Sequence, residues 1–261
     1  MSLATRAVYP SQPTPLRSHL DALLAEAELP ADLDADALIG IVVPDSNRAS
    51  GGATAATAYQ LLRGASLDTA IVISPSHNGE FGRLSICQTD TYHTPLGGVP
   101  VNDHLRNELC DEDDDIFLDD TGHYHTEGAD VQLPFLQAAL AGDFDAVPIV
   151  MGEESPAFCR ELGGAVGEVM YGKRAVVVGS CDLLGGDDDA IARFREAIES
   201  FDESELMHLL GSETVRVEGM GALITTLIAS KARGATHARV LALTPPDGDV
   251  PGSLAVAFWK G

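Results

Sequence analysis

Hydrophobic positions along the chain fall into two alternating patterns. Short, nearly continuous runs rich in β-branched residues occur at 37–43 (ALIGIVV), 69–74 (TAIVIS), 146–151 (AVPIVM), 175–179 (AVVVG) and 239–243 (RVLAL). A strand covered by helices on both faces needs this kind of unbroken apolar run. Between the runs, 53–62, 131–140, 156–170, 189–200 and 221–231 carry apolar residues at the three- and four-residue spacing of an amphipathic helix. The alternation predicts an α/β layered fold with a mainly parallel central sheet flanked by helices. No Gly/Ser-rich or Pro-rich linker and no internal repeat interrupts it, so one domain is expected over 1–261. The last apolar run, 253–259 (SLAVAFW), keeps some alternation and is expected at a sheet edge, a natural surface for a homo-oligomer.

Charge narrows the class of partner. Forty acidic residues stand against 16 basic ones, a formal net charge of −24. The summed field repels nucleic acid and anionic membrane surfaces, and neither is expected to bind. Of the acids 24 are Asp, and Lys173, Lys231 and Lys260 are the only lysines. This skew is expected of a halophilic chain, one kept soluble in concentrated salt, where screening removes self-repulsion. There is no run of 18 apolar residues and no apolar core in the opening MSLATRAVYP. Cys87, Cys110, Cys159 and Cys181 lie far apart, with no CxxC spacing. A reduced, cytoplasmic protein is expected. The acidic run 111–115 (DEDDD) is expected to be a solvated loop.

In open parallel sheets, ligands bind beyond the carboxyl ends of the strands. That rule singles out Asp45 in VVPDSN, His77 in ISPSHN, Asp182 in GSCDLL and the TPPDGD loop after Leu243. Glu218, in VEGMGAL, is expected at the start of the last helix, where the helix dipole favours an acid. Acids and a histidine at successive strand ends make a set of hard and borderline metal ligands. Each also has a simpler role: Asp45 in a turn, His77 as a hydrogen-bonded loop histidine, Asp182 as an N-cap, Glu218 as a solvated first-turn acid. The residues themselves leave that choice open.

The same residues carry a family likeness. The segments 7–10 (AVYP), 44–59 (PDSNRASGGATAATAY), 73–78 (ISPSHN), 92–97 (YHTPLG), 131–136 (VQLPFL), 179–182 (GSCD) and 218–219 follow one another as the motifs of a known family do. The chain resembles, almost end to end, the Memo-like family, also called AmmeMemoRadiSam system protein B, which shares its fold with class III extradiol ring-cleaving dioxygenases. The resemblance implies that fold and a divalent metal held by Asp45, His77 and Glu218, with Glu127 and Asp182 adding to or supporting those ligands. It also implies a small-molecule ligand and, as partners, radical-SAM and AMMECR-type proteins.

The motifs are not all intact. Asp45 replaces the family's first histidine, Glu218 its cysteine and Thr126-Glu127 its Glu-His pair, while Gly185 stands where a second histidine would follow Asp182. One imidazole among carboxylates suits Fe, Mn or Mg better than Cu or Zn. His123 and His125 are expected to be exposed loop histidines, and Cys181 has no basic neighbour in sequence to activate it. Four readings follow. One is a metal-binding member with a redox or hydrolytic role; another is a scaffold or partner-binding relative that has lost the metal. The third is an Fe(II)-dependent ring-cleaving-type oxygenase, and the fourth a hydrolase working through an acid pair.

Overall fold

The computed structural model describes residues 9–28, 33, 35–46, 49–79, 81–112, 115–123 and 127–261. Ala7 and Val8 of the opening motif, Asn47 and Arg48, Asp113 and Asp114 of the acidic run, and His125 and Thr126 lie outside the described residues.

In chain order the elements are α1 (Pro13–Glu26), β1 (Leu38–Val43), α2 (Ala49–Tyr59), β2 (Thr69–Pro75), β3 (Leu84–Ile86), β4 (Thr91–Thr94), β5 (Gly97–Pro100), α3 (Asp103–Glu112), β6 (Ile116–Leu118) and α4 (Ala129–Ala139). They continue as β7 (Asp145–Met151), α5 (Pro156–Val169), β8 (Ala175–Ser180), β9 (Asp182–Gly185), α6 (Asp188–Glu199), α7 (Glu203–Gly211), β10 (Arg216–Glu218), α8 (Met220–Ala232), β11 (His237–Thr244) and β12 (Gly252–Trp259).

The fold is α/β, as expected, with its apolar runs gathered into one large mixed sheet ordered β10-β9-β12-β1-β8-β2-β7-β3-β6. Its centre, β1-β8-β2-β7, is parallel. Antiparallel pairing of β12 with β1 and of β3 with β7 extends it on the two sides. The unbroken apolar character of the central strands has a direct cause. Along β1, Ile39 and Val42 pack into one core with Leu162 and Val166 of α5 and Leu223 and Ile224 of α8. Ile41 and Val43 pack into the other, with Leu16 and Leu20 of α1 and Leu133 and Phe135 of α4. Both faces of β1 are covered, and the strand LIGIVV carries no polar side chain.

The last strand differs from expectation. Every residue of β12 is buried, because β1 pairs on one side and β11 on the other, so 253–259 is not an edge. The edge is β11, and it is blocked. The Val240 N–H donates to Glu199 Oε1 at 3.0 Å, and Arg195 Nη2 donates to the Val240 carbonyl at 3.2 Å. Side chains of α6 thus occupy backbone groups that a second chain would need for pairing. The acidic run is only partly a loop: Asp111 and Glu112 end α3 and Asp115 is exposed. No helix among the described residues is long and apolar enough to cross a membrane.

Candidate metal centre

The strand-end rule gathers most of the predicted residues. Asp45 lies two residues beyond β1 and is fully buried. His77 lies two residues beyond β2, and its Nε2 sits 2.6 Å from Asp45 Oδ2. The other ring nitrogen, Nδ1, sits 3.3 Å from Glu218 Oε1. With a carboxylate at each nitrogen, the ring holds its proton strongly. The Asp45 contact comes first and the Glu218 contact second, and together they outweigh burial and raise the pKa to about 10.

Asp182 is not an N-cap. It opens β9, nearly fully buried, and spans the turn after β1: Oδ1 accepts the N–H of Asp45 at 3.0 Å and Oδ2 that of Ser46 at 3.2 Å. Burial, then the charge of Asp45, pushes its carboxyl up to about 7 in spite of those hydrogen bonds. A third support comes from the VQLPFL motif. Gln132 Nε2 donates to the Pro44 carbonyl at 2.9 Å, while its Oε1 accepts the Tyr59 hydroxyl at 2.8 Å. The motif therefore fixes the residue preceding Asp45.

Glu127 enters at the start of α4. One ligand atom from each of Asp45, His77 and Glu127 lies within 4.8 Å of the others, a group of three that could hold a metal ion. Gly128 makes the approach feasible. Its φ is +59°, and a Cβ there would lie 2.6 Å from Ser74, so only glycine brings this turn so close to β2. Glu218 is not in a helical first turn, as its sequence suggested. It ends β10, paired with Asp182 of β9, and Gly219 (φ +88°) turns the chain into α8.

Both oxygens of Asp45 and Nε2 of His77 are buried without a hydrogen bond of good geometry among the described residues, despite the short contact between them. The protonated His77 ring offsets Oδ2, and the oxygen left without any partner among the described residues is Asp45 Oδ1, where burial is costly unless a further donor or cation satisfies it.

Other candidates fall outside the cluster. Asp247 and Asp249 are exposed in the β11–β12 turn. His123 is buried rather than exposed, its Nε2 3.0 Å from the Ser85 carbonyl oxygen, and burial lowers its pKa. Burial likewise holds Cys181 as a thiol, as the absence of an activating base predicts. Where a second histidine was missed, a Cβ on Gly185 would lie 2.6 Å from Arg216 Nη2, so the guanidinium fills that space.

One residue was overlooked. Glu154 follows β7, the same strand-end position that drew attention to Asp45 and His77. It is bonded to backbone N–H groups of Gly221 and Ala222 at the start of α8, its Oε1 is buried without a partner, and burial foremost pushes its pKa up to about 7. Applying the rule to the GEES segment after Met151 would have found it.

The chain is similar to known proteins in sequence and in fold. A family model described as Memo-like protein matches residues 2–253. A MEMO1 family protein of Methanopyrus kandleri is 28% identical, covering 97% of this chain and 96% of its own length. Another, from Methanosarcina barkeri, is 31% identical, covering 83% of this chain and 82% of its own. The crystal structure of an uncharacterised protein from Escherichia coli K12 is similar with a TM-score of 0.52 at 14% identity, over 74% of this chain and 86% of that one, a likeness of fold alone.

Proposed function

The chain belongs to the Memo-like family, and from that premise we propose that it holds one divalent metal ion through Asp45, Nε2 of His77 and Glu127, and through the ion a small molecule. The observation that carries this reading is the convergence of these three side chains, with Asp45 Oδ1 buried and without a partner among the described residues.

The chain's residues divide the work. Asp45 and Glu127 supply negative charge, and His77 a borderline nitrogen, a set that suits Fe(II), Mn(II) or Mg better than Cu or Zn. Glu218, at Nδ1, fixes the ring tautomer that leaves Nε2 free to ligate, the usual task of a carboxylate behind a ligating histidine. Asp182 and Gln132 hold the turn that carries Asp45. Three protein ligands leave coordination positions open, so the ion supplies a Lewis acid there when bound.

Metal content by mass spectrometry tests this, on untagged protein dialysed in multimolar salt and reconstituted with Fe(II), Mn(II) and Mg(II). About one equivalent is expected in the parent and little in His77→Ala or Glu127→Gln, while Glu218→Gln keeps the ion with an affinity lowered about tenfold to hundredfold. Metal lost in Glu218→Gln but kept in Glu127→Gln would make Glu218 the third ligand. No metal in any form would support the scaffold reading instead.

A further inference from the structure

Two clefts border the carboxylates grouped around His77, one lined by Glu218 and the other by Glu127. The larger, of about 890 Å³, has Glu218, the neighbour of Nδ1, in its wall. The smaller, of about 530 Å³, lies between α1, the β4–β5 hairpin and the start of α4, and has Glu127 in its wall. We infer that the smaller cleft is the entrance to the metal, and that it takes a neutral, hydroxyl-bearing molecule with an apolar body. The inference rests on the metal centre proposed above and names the ligand that centre would receive.

The position of Glu127 decides which cleft is relevant. A ligand in the larger cleft would face Glu218 across the nitrogen that does not ligate. A ligand in the smaller one borders a metal-binding carboxylate. The lining decides the chemistry. Tyr9, Leu16, Leu20, Val131 and Pro134 form apolar walls, and the volume is that of an ordinary small-molecule site.

Its polar groups include the carboxylates of Glu127 and Asp130, and its described lining residues include no lysine or arginine. His93 is exposed at the cleft. A carboxylate or phosphate head would therefore meet two acids, with no lysine or arginine among the described lining residues to receive it. An ammonium head has no lone pair to offer the metal. A hydroxyl offers the metal a lone pair and a carboxylate a proton, so it satisfies both at once.

The test uses one ring with three heads. Cyclohexanol, cyclohexanecarboxylate and cyclohexylammonium are titrated against the full chain by saturation-transfer NMR, with and without Mn(II). Ser11→Trp and Pro95→Trp narrow the smaller cleft from exposed positions, and Leu184→Trp narrows the larger. Cyclohexanol is expected to bind most tightly of the three, and to lose affinity about tenfold in Ser11→Trp and Pro95→Trp but not in Leu184→Trp. With Mn(II) bound, the proton on its hydroxyl-bearing carbon should broaden more than those across the ring.

Loss of binding only in Leu184→Trp, or tighter binding of the carboxylate, overturns the inference while a metal-loaded protein leaves the metal centre standing. If the protein takes up none of Mn(II), Fe(II) and Mg(II), the metal centre falls. The substitutions still decide the cleft, because cyclohexanol binding is also read without metal.

Discussion

Asp182 carries the backbone of Asp45. Its Oδ1 receives the Asp45 N–H at 3.0 Å across 137 residues of sequence, and its Oδ2 receives the next N–H, of Ser46, at 3.2 Å. A buried carboxylate thereby anchors the turn on which another buried carboxylate projects. Asp182→Asn would set an amide N–H₂ against one of those two donors. The expected result is a loss of about 1–3 kcal/mol in stability by urea denaturation. Metal affinity, by calorimetric titration, should fall about tenfold to hundredfold.

Gly128 brings Glu127 to the cluster through a backbone that side chains rarely adopt. Gly128→Ala must accommodate both φ +59° and a Cβ 2.6 Å from Ser74. It is expected to cost at least about 2 kcal/mol and to reduce metal occupancy. Gly142→Ala is the control: φ is +91°, and a Cβ there meets nothing. It should cost about 1 kcal/mol and leave the metal alone. Thermal unfolding and metal content of the two variants check this contrast.

The buried Glu154 carboxyl sets a direction for pH dependence. Its pKa is about 7 in the fold against an ordinary 4.5. The native state therefore holds this proton more tightly, and stability rises as pH falls from about 7 towards 4.5. Glu154→Gln, neutral throughout, should be more stable than the parent above pH 7 and show a shallower slope below it. Asp182, also raised to about 7, leaves part of the slope in place. Urea midpoints between pH 5 and pH 8 would show this; an unchanged slope in the variant would contradict it.

Arg195 and Glu199 occupy the edge groups of Val240. Replacing both with Ala bares the middle of β11. The double variant is expected to self-associate more strongly than the parent at equal concentration, as read by light scattering after size exclusion.

The net charge of −24 predicts a further dependence. Raising KCl from about 0.1 M to about 1 M shortens the screening length from roughly 10 Å to roughly 3 Å. The melting temperature should climb with it, and a flat or falling curve would remove the high-salt reading.

The apolar runs and helical stripes of the chain determined that it folds as an α/β layered protein. Burial on both faces of β1, β2, β7 and β8 leaves its mark residue by residue, so the sheet's centre was legible. The strand-end rule then determined that Asp45, His77 and Asp182 would lie near one another. Tertiary structure decided the rest. Segment 253–259 is equally apolar whether it ends a sheet or lies within one, and only its pairing with both β1 and β11 places it inside. His123 reads as a loop histidine until the Ser85 carbonyl is found beside it. Glu127 and Glu218 are alike in sequence as acids near candidate ligands. Which of them joins Asp45 and His77, and which faces Nδ1, depends on the turn at Gly128 and the β9–β10 pairing. Local patterning records burial and propensity, whereas the geometry of a site comes from contacts between residues far apart in the chain.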